Sequence, residues 1–129
     1  MNRLTLLLLP FALLLRPSGA LPAPTFTGKE LARAAAAYER AREEGRFRDE
    51  RDEREVNYFL GFVEGAALAS RKVCVPSARG IRDQLGAATA AYLKKHPREW
   101  HLAPDTLVLK AVQPVFPCPN QFDKKGYQP

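Results

Sequence analysis

The chain has 129 residues, with 20 Lys and Arg against 14 Asp and Glu, two histidines and two cysteines. Its length suits one domain of ordinary size. The net charge is +6, but from Lys29 to Arg54 the positive side chains alternate with acidic ones. That excludes the basic stripe a nucleic-acid binder needs and leaves only a mild attraction for acidic partners.

Arg3 precedes an apolar run from Leu4 to Leu15, interrupted only by Thr5 and Pro10 and broken by Arg16-Pro17. Ser18-Gly19-Ala20 then places small residues where a signal peptidase reads. The pattern predicts a secretory signal peptide over 1–20, cleaved after Ala20. A membrane anchor needs about 20 apolar residues, and this run is too short; no cysteine near the cut invites lipid. Past residue 20, 18 basic side chains face 14 acidic ones, a net charge of +4. The expected exported protein is periplasmic, with no membrane attachment after cleavage. In that oxidising compartment Cys74 and Cys118, both within two residues of a proline at element ends, most simply form one disulfide. It closes a loop of about 45 residues, worth roughly 4 kcal/mol in the chain-entropy model. The alternative, two reactive thiols, has no CxxC pair and no adjacent histidine behind it.

Residues 21–27 form a proline-containing lead-in. Thr27-Gly28-Lys29-Glu30 has capping-box form and predicts a first helix to about Glu44. Leu31, Ala34, Ala35, Tyr38 and Ala41 share its inner face, Gly45 ends it, and Phe47 is expected to pin the following turn to the core. The charged stretch Arg46–Arg54 is either a loop or the exposed first turns of the next helix. That second helix is clearest from about Asp52 to Arg71, where Val56, Phe59, Leu60, Val63, Ala66 and Ala67 recur at helical spacing. Gly61 and Gly65 each cost roughly 1 kcal/mol of helix propensity. With Ala69 they make a small-residue ridge that predicts close approach by another helix. They are not a phosphate loop, since no strand precedes them and no lysine or serine follows at the required spacing.

A third helix is predicted from Ile81 to Lys95, burying Ile81, Leu85, Ala88, Tyr92 and Leu93. It stops at His96 because Pro97 disfavours helical geometry in the residue before it. A loop from His96 to Ala103 follows. Pro104 suits the first position of a fourth helix, with Asp105 near its positive end and Leu107, Val108, Ala111 and Val112 turned inward. Pro114 ends or kinks it. Phe116-Pro117-Cys118-Pro119 closes the domain, and 120–129 is expected to be a flexible, polar tail. The sum is an all-α, four-helix bundle-like domain over 28–119 with one disulfide.

No residue set reads as catalytic. His96 and His101 flank Pro97 five residues apart, off the helical spacing that metal ligands use, and only Glu99 is near. Both are expected to make backbone hydrogen bonds, and neither metal nor cofactor is implied. Ser70 and Ser77 sit in no nucleophile motif. The carboxylate pairs Glu43/Glu44 and Asp52/Glu53 lie in salt-rich stretches and read as solvated faces. Trp100, the only tryptophan, stands in a polar loop between the histidines and is either a core plug or an interface anchor.

Several segments in order carry a resemblance. They are Gly61-Phe62-Val63-Glu64-Gly65, Cys74-Val75-Pro76, Gln84-Leu85, Ala91 to Pro97 (AYLKKHP), His101-Leu102-Ala103-Pro104, Leu107 to Ala111 (LVLKA) and Phe116-Pro117-Cys118-Pro119. Together, over Val56 to Pro119, the chain resembles the Tai family of amidase immunity proteins that accompany type VI secretion systems. The resemblance implies a small helical periplasmic protein that binds and blocks a secreted peptidoglycan amidase toxin, with a protruding loop placed in the enzyme's cleft. Several members are homodimers. By position, the loop carrying His96, Arg98, Glu99, Trp100 and His101 takes that role here. Members often carry a second cysteine pair, whose positions are held here by Phe59 and by alanines near Ala35; Pro114 is a further departure. Read from the residues alone, the competing function is a structural or self-associating helical domain without a toxin partner.

Overall fold

The computed structural model describes residues 26–119; the predicted signal peptide, all but the last two residues of the lead-in, and the tail lie outside the described residues. Helix α1 spans Gly28–Glu44, α2 Glu50–Ala69, α3 Ile81–Lys95 and α4 Pro104–Val112, with one 3₁₀ turn at Pro97–Glu99. The predicted all-α class and the four helices are what the structure shows.

The local chemistry explains the boundaries. Thr27 Oγ1 accepts from the Glu30 amide (3.3 Å) while the Glu30 carboxylate accepts from the Thr27 amide (2.7 Å), closing the capping box. Gly45 ends α1 in the left-handed region at φ 66°, where a side chain would be strained. The charged stretch divides: Arg46 to Asp49 is loop, and Asp49 caps α2 by accepting from the Asp52 amide at 2.8 Å. α2 ends at Ala69, two residues before the expected Arg71, with Ser70 extended. α3 has the predicted bounds. Pro104 opens α4 at its first turn, where the missing N–H costs nothing.

The core is one cluster. Leu31 and Tyr38 of α1, Phe59 and Val63 of α2, Leu85 and Leu93 of α3, and Leu107, Val108 and Val112 of α4 are all buried. Phe59, where relatives were expected to carry a cysteine, is fully buried with its ring 5.3 Å from that of Tyr38. Cys74 and Cys118 form the expected disulfide, with Cα atoms 4.8 Å apart. Beside it Val73 and Pro117 make an isolated antiparallel bridge, and the Cys74 amide donates to Phe116 O at 3.0 Å. The α2–α3 linker is thus tied to the segment after α4.

Three expectations need correction. Phe47 does not pin the turn to the core; it is 42% exposed. Asp52 is not on a solvated face. It is buried, paired with the Arg40 guanidinium, and accepts from the Arg48 amide at 3.0 Å. It clamps the α1–α2 corner from inside, a role that its charged neighbours conceal. Gly61 and Gly65 are not where helices meet among the described residues. A Cβ on Gly65 would find nothing within 4 Å, and one on Gly61 only Arg82 Nη2 at 3.6 Å. The close approaches belong to other glycines. At Gly86 a Cβ would lie 2.6 Å from Leu60 Cδ2 and 3.3 Å from the Tyr38 ring; at Gly28 it would collide with backbone oxygens of the α3–α4 loop.

Candidate functional site

The α3–α4 loop is built as a fixed corner. At the end of α3 the His96 amide donates to Tyr92 O at 3.0 Å, and His96 Nδ1 donates to the same carbonyl at 2.8 Å. The His96 ring stacks on the Tyr92 ring at 4.1 Å. Pro97 then turns the chain into a 3₁₀ turn, with the Leu102 amide donating to Glu99 O at 2.8 Å. Trp100 folds back so that its indole N–H donates to Leu93 O at 3.0 Å, a carbonyl in the last turn of α3 that otherwise accepts only from the His96 amide at 3.3 Å. Its ring shares a groove with Ala32, Ala35, Leu93 and Pro97, between α1 and α3. Of the two roles open to Trp100, the structure gives it the inward one, half-buried, as the nail of the loop.

Glu99 fixes the other side. Its carboxylate accepts from the Tyr92 hydroxyl (2.6 Å) and from Lys110 Nζ (2.7 Å), tying the loop to α3 and α4. The Lys110 ammonium, then the Tyr92 hydroxyl, hold the Glu99 carboxyl below its ordinary pKa. Desolvation, then the Glu99 contact, pushes the Tyr92 phenol above its ordinary value. Lys110 is raised in turn by Glu99.

From below, the N-terminus of α1 presses against the same loop. A Cβ at Gly28 would come 2.5 Å from Trp100 O and 2.6 Å from Leu102 O, so only glycine lets the helix pass so close. Phe26, Gly28, Trp100, Leu102 and Pro104 line a cavity of about 510 Å³ beside it.

The structure therefore sorts the five loop residues that the sequence singles out. His96, Glu99 and Trp100 are spent on holding the corner. Arg98 and His101 are exposed, and His101 Nδ1 donates to Arg98 O at 2.8 Å. The two histidines make the backbone hydrogen bonds expected of them. Lys110 and Gly28 belong to the site and were not singled out for it. Lys110 reads as an ordinary surface lysine on α4, and Gly28 as part of a capping box; only the tertiary placement of the loop links them to it.

Nothing in this arrangement pairs a nucleophile with a base. It offers a corner held by hydrogen bonds, with a cation and an imidazole exposed on it. No helix among the described residues is long and apolar enough to cross a membrane. Among curated proteins and solved structures nothing matches the chain. A family model described as Rap1a immunity proteins does match it, over residues 27–118. That span runs from the threonine that caps α1 to the second cysteine of the bridge and takes in the whole corner. The chain belongs to the family of Rap1a immunity proteins, a family of immunity proteins and not of enzymes.

Proposed function

We propose that this chain is a periplasmic immunity protein that binds a peptidoglycan amidase delivered by type VI secretion and blocks its cleft sterically with the loop His96–Ala103. The observation that carries the reading is the preformed loop. Trp100, Glu99 and Gly28 lock its backbone, while Arg98 and His101 face outward. A plug ordered before binding loses little conformational entropy on docking, so more of its contact energy becomes affinity. The family supplies the immunity role. The signal-like segment 1–20 and the single disulfide fit an exported protein. Occlusion of this kind needs no metal and no cofactor.

Co-expression tests the proposal. A peptidoglycan amidase effector from the gene neighbourhood of this chain, directed to the periplasm, is expected to lyse cells that lack the protein and to spare those that export it. Arg98→Glu together with His101→Glu should abolish that protection while leaving the protein at normal abundance. Undiminished protection by the double variant would remove the loop from the mechanism.

A further inference from the structure

Phe47 is a large apolar side chain that the turn after α1 leaves unfastened, and it borders a pocket. About 260 Å³ opens where the end of α1 meets the start of α2. Tyr38, Ala41 and Val56, all buried, form its floor, and Leu60 and Phe47 stand as its walls. Gly45 adds no side chain to close it. Cavities that take a cofactor or a drug-sized molecule run from roughly 300 to 1,000 Å³, so this one suits a single large side chain.

The pocket is shaped before anything enters it. Leu60 packs against α3 at Gly86, where a Cβ would lie 2.6 Å from Leu60 Cδ2. The Tyr38 hydroxyl donates to Asp83 Oδ1 at 2.6 Å, which fixes the ring from the α3 side. Next to Phe47 in the chain, the Arg48 amide donates to Asp52 at 3.0 Å, within the clamp at the α1–α2 corner.

Charge around the pocket has one sign. Among the described residues the only charged side chains that line it are Arg42 and Arg46. Two neighbouring carboxylates are already engaged. Glu44 accepts from Arg48 at 2.8 Å, and Asp83, which holds the Tyr38 hydroxyl, stands 3.8 Å from Arg42. Arg46 is exposed and forms no ion pair among the described residues. A free guanidinium beside an apolar hollow can grip an incoming carboxylate with two parallel N–H bonds.

We infer that this pocket is a docking site for an acidic peptide segment of a second protein partner. One large apolar side chain of the segment enters between Phe47 and Leu60, and the carboxylates flanking it meet Arg46 and Arg42. An apolar anchor in a pocket beside arginine is the form in which interfaces concentrate their binding energy. The site uses no residue of the α3–α4 loop, which meets the other end of α1, about 25 Å away along the helix. It therefore stands or falls separately from the inhibitory role.

Fluorescence anisotropy tests it on protein expressed from the full-length sequence, with a fluorescein-labelled peptide, Asp-Glu-Phe-Asp-Glu, as the probe. Saturable binding is expected below about 1 mM. Phe47→Ala, Arg46→Glu and a probe with Ala in place of its Phe should each weaken it roughly tenfold or more. Phe47 and Arg46 are exposed, so the helical circular dichroism of the variants should match the parent. Arg98→Glu should leave the affinity unchanged. A probe that does not saturate below that concentration overturns the inference. So does equal binding of the Ala probe, or binding that neither pocket variant weakens. It is also overturned if Phe47→Asp, at normal abundance, no longer spares cells from the amidase effector, because the pocket would then belong to the toxin.

Discussion

The Trp100 indole N–H donates to the Leu93 carbonyl at 3.0 Å, so the residue most exposed to suspicion as a binding anchor is the one that fastens the loop to α3. Trp100→Ala removes a half-buried ring and leaves the carbonyl with only the longer contact from the His96 amide at 3.3 Å. A loss of about 3 kcal/mol is expected, visible as a lower melting temperature. Trp100→Phe keeps most of the packing and loses only the hydrogen bond, about 1 kcal/mol. Equal losses in the two variants would mean that the bond, not the ring, holds the corner.

Two glycines should respond in opposite directions. Gly28→Ala drives a methyl group into Trp100 O and Leu102 O, and backbone cannot step aside as a side chain can. The expected cost is about 1–3 kcal/mol. Gly65→Ala meets open space and should raise stability by about 1 kcal/mol through helix propensity. Chemical denaturation compares them, and a stabilising Gly28→Ala would refute the close approach.

Adjacent carboxylates should differ as sharply. Asp52→Ala leaves the Arg40 guanidinium half-buried without its partner and the Arg48 amide without an acceptor, at a cost of about 3 kcal/mol. Glu53→Ala, on the exposed side of the same turn, should stay within about 0.5 kcal/mol of the parent. Urea midpoints for the two variants check the contrast.

The corner should loosen in acid. Lys110 and Tyr92 hold the Glu99 carboxyl below its ordinary value, so its folded pKa lies under the unfolded value of about 4.3. Its contribution is present above that unfolded value and is lost as pH falls through the lower, folded one. Fluorescence of the only tryptophan, next to Glu99 in the chain, reports the change. Emission should hold steady from neutral pH down to the carboxylate range and shift below it. Lys110→Met should move the midpoint upward, whereas an unmoved midpoint would show that the pair does not set it.

Much of this architecture was legible in the residues because local rules governed it. The Thr27 capping box, Gly45 in the left-handed region, Pro97 after α3 and Pro104 at the start of α4 act within a turn or two, so they mark the ends of α1 and α3 and the start of α4. The disulfide followed from two cysteines and an export signal. What stayed hidden depends on which surface meets which. Nothing near Asp52 in the chain says that Arg40 arrives from α1 to cover it. Likewise Gly61 and Gly65 look like packing glycines in a string, while Gly86, set among alanines and threonine, gives no such sign and is where Leu60 and Tyr38 press in. The loop residues were found as a group, but their division into holding and outward-facing members came only from the partners that Tyr92, Leu93, Lys110 and Gly28 provide.

Hydrogen–deuterium exchange of the chain, alone and with the amidase effector proposed as its partner, tests the central claim most directly. Strong new protection over residues 97–103, at a corner already ordered in the free protein, is what the steric plug predicts. Protection confined to other elements, with 97–103 exchanging as before, would contradict it.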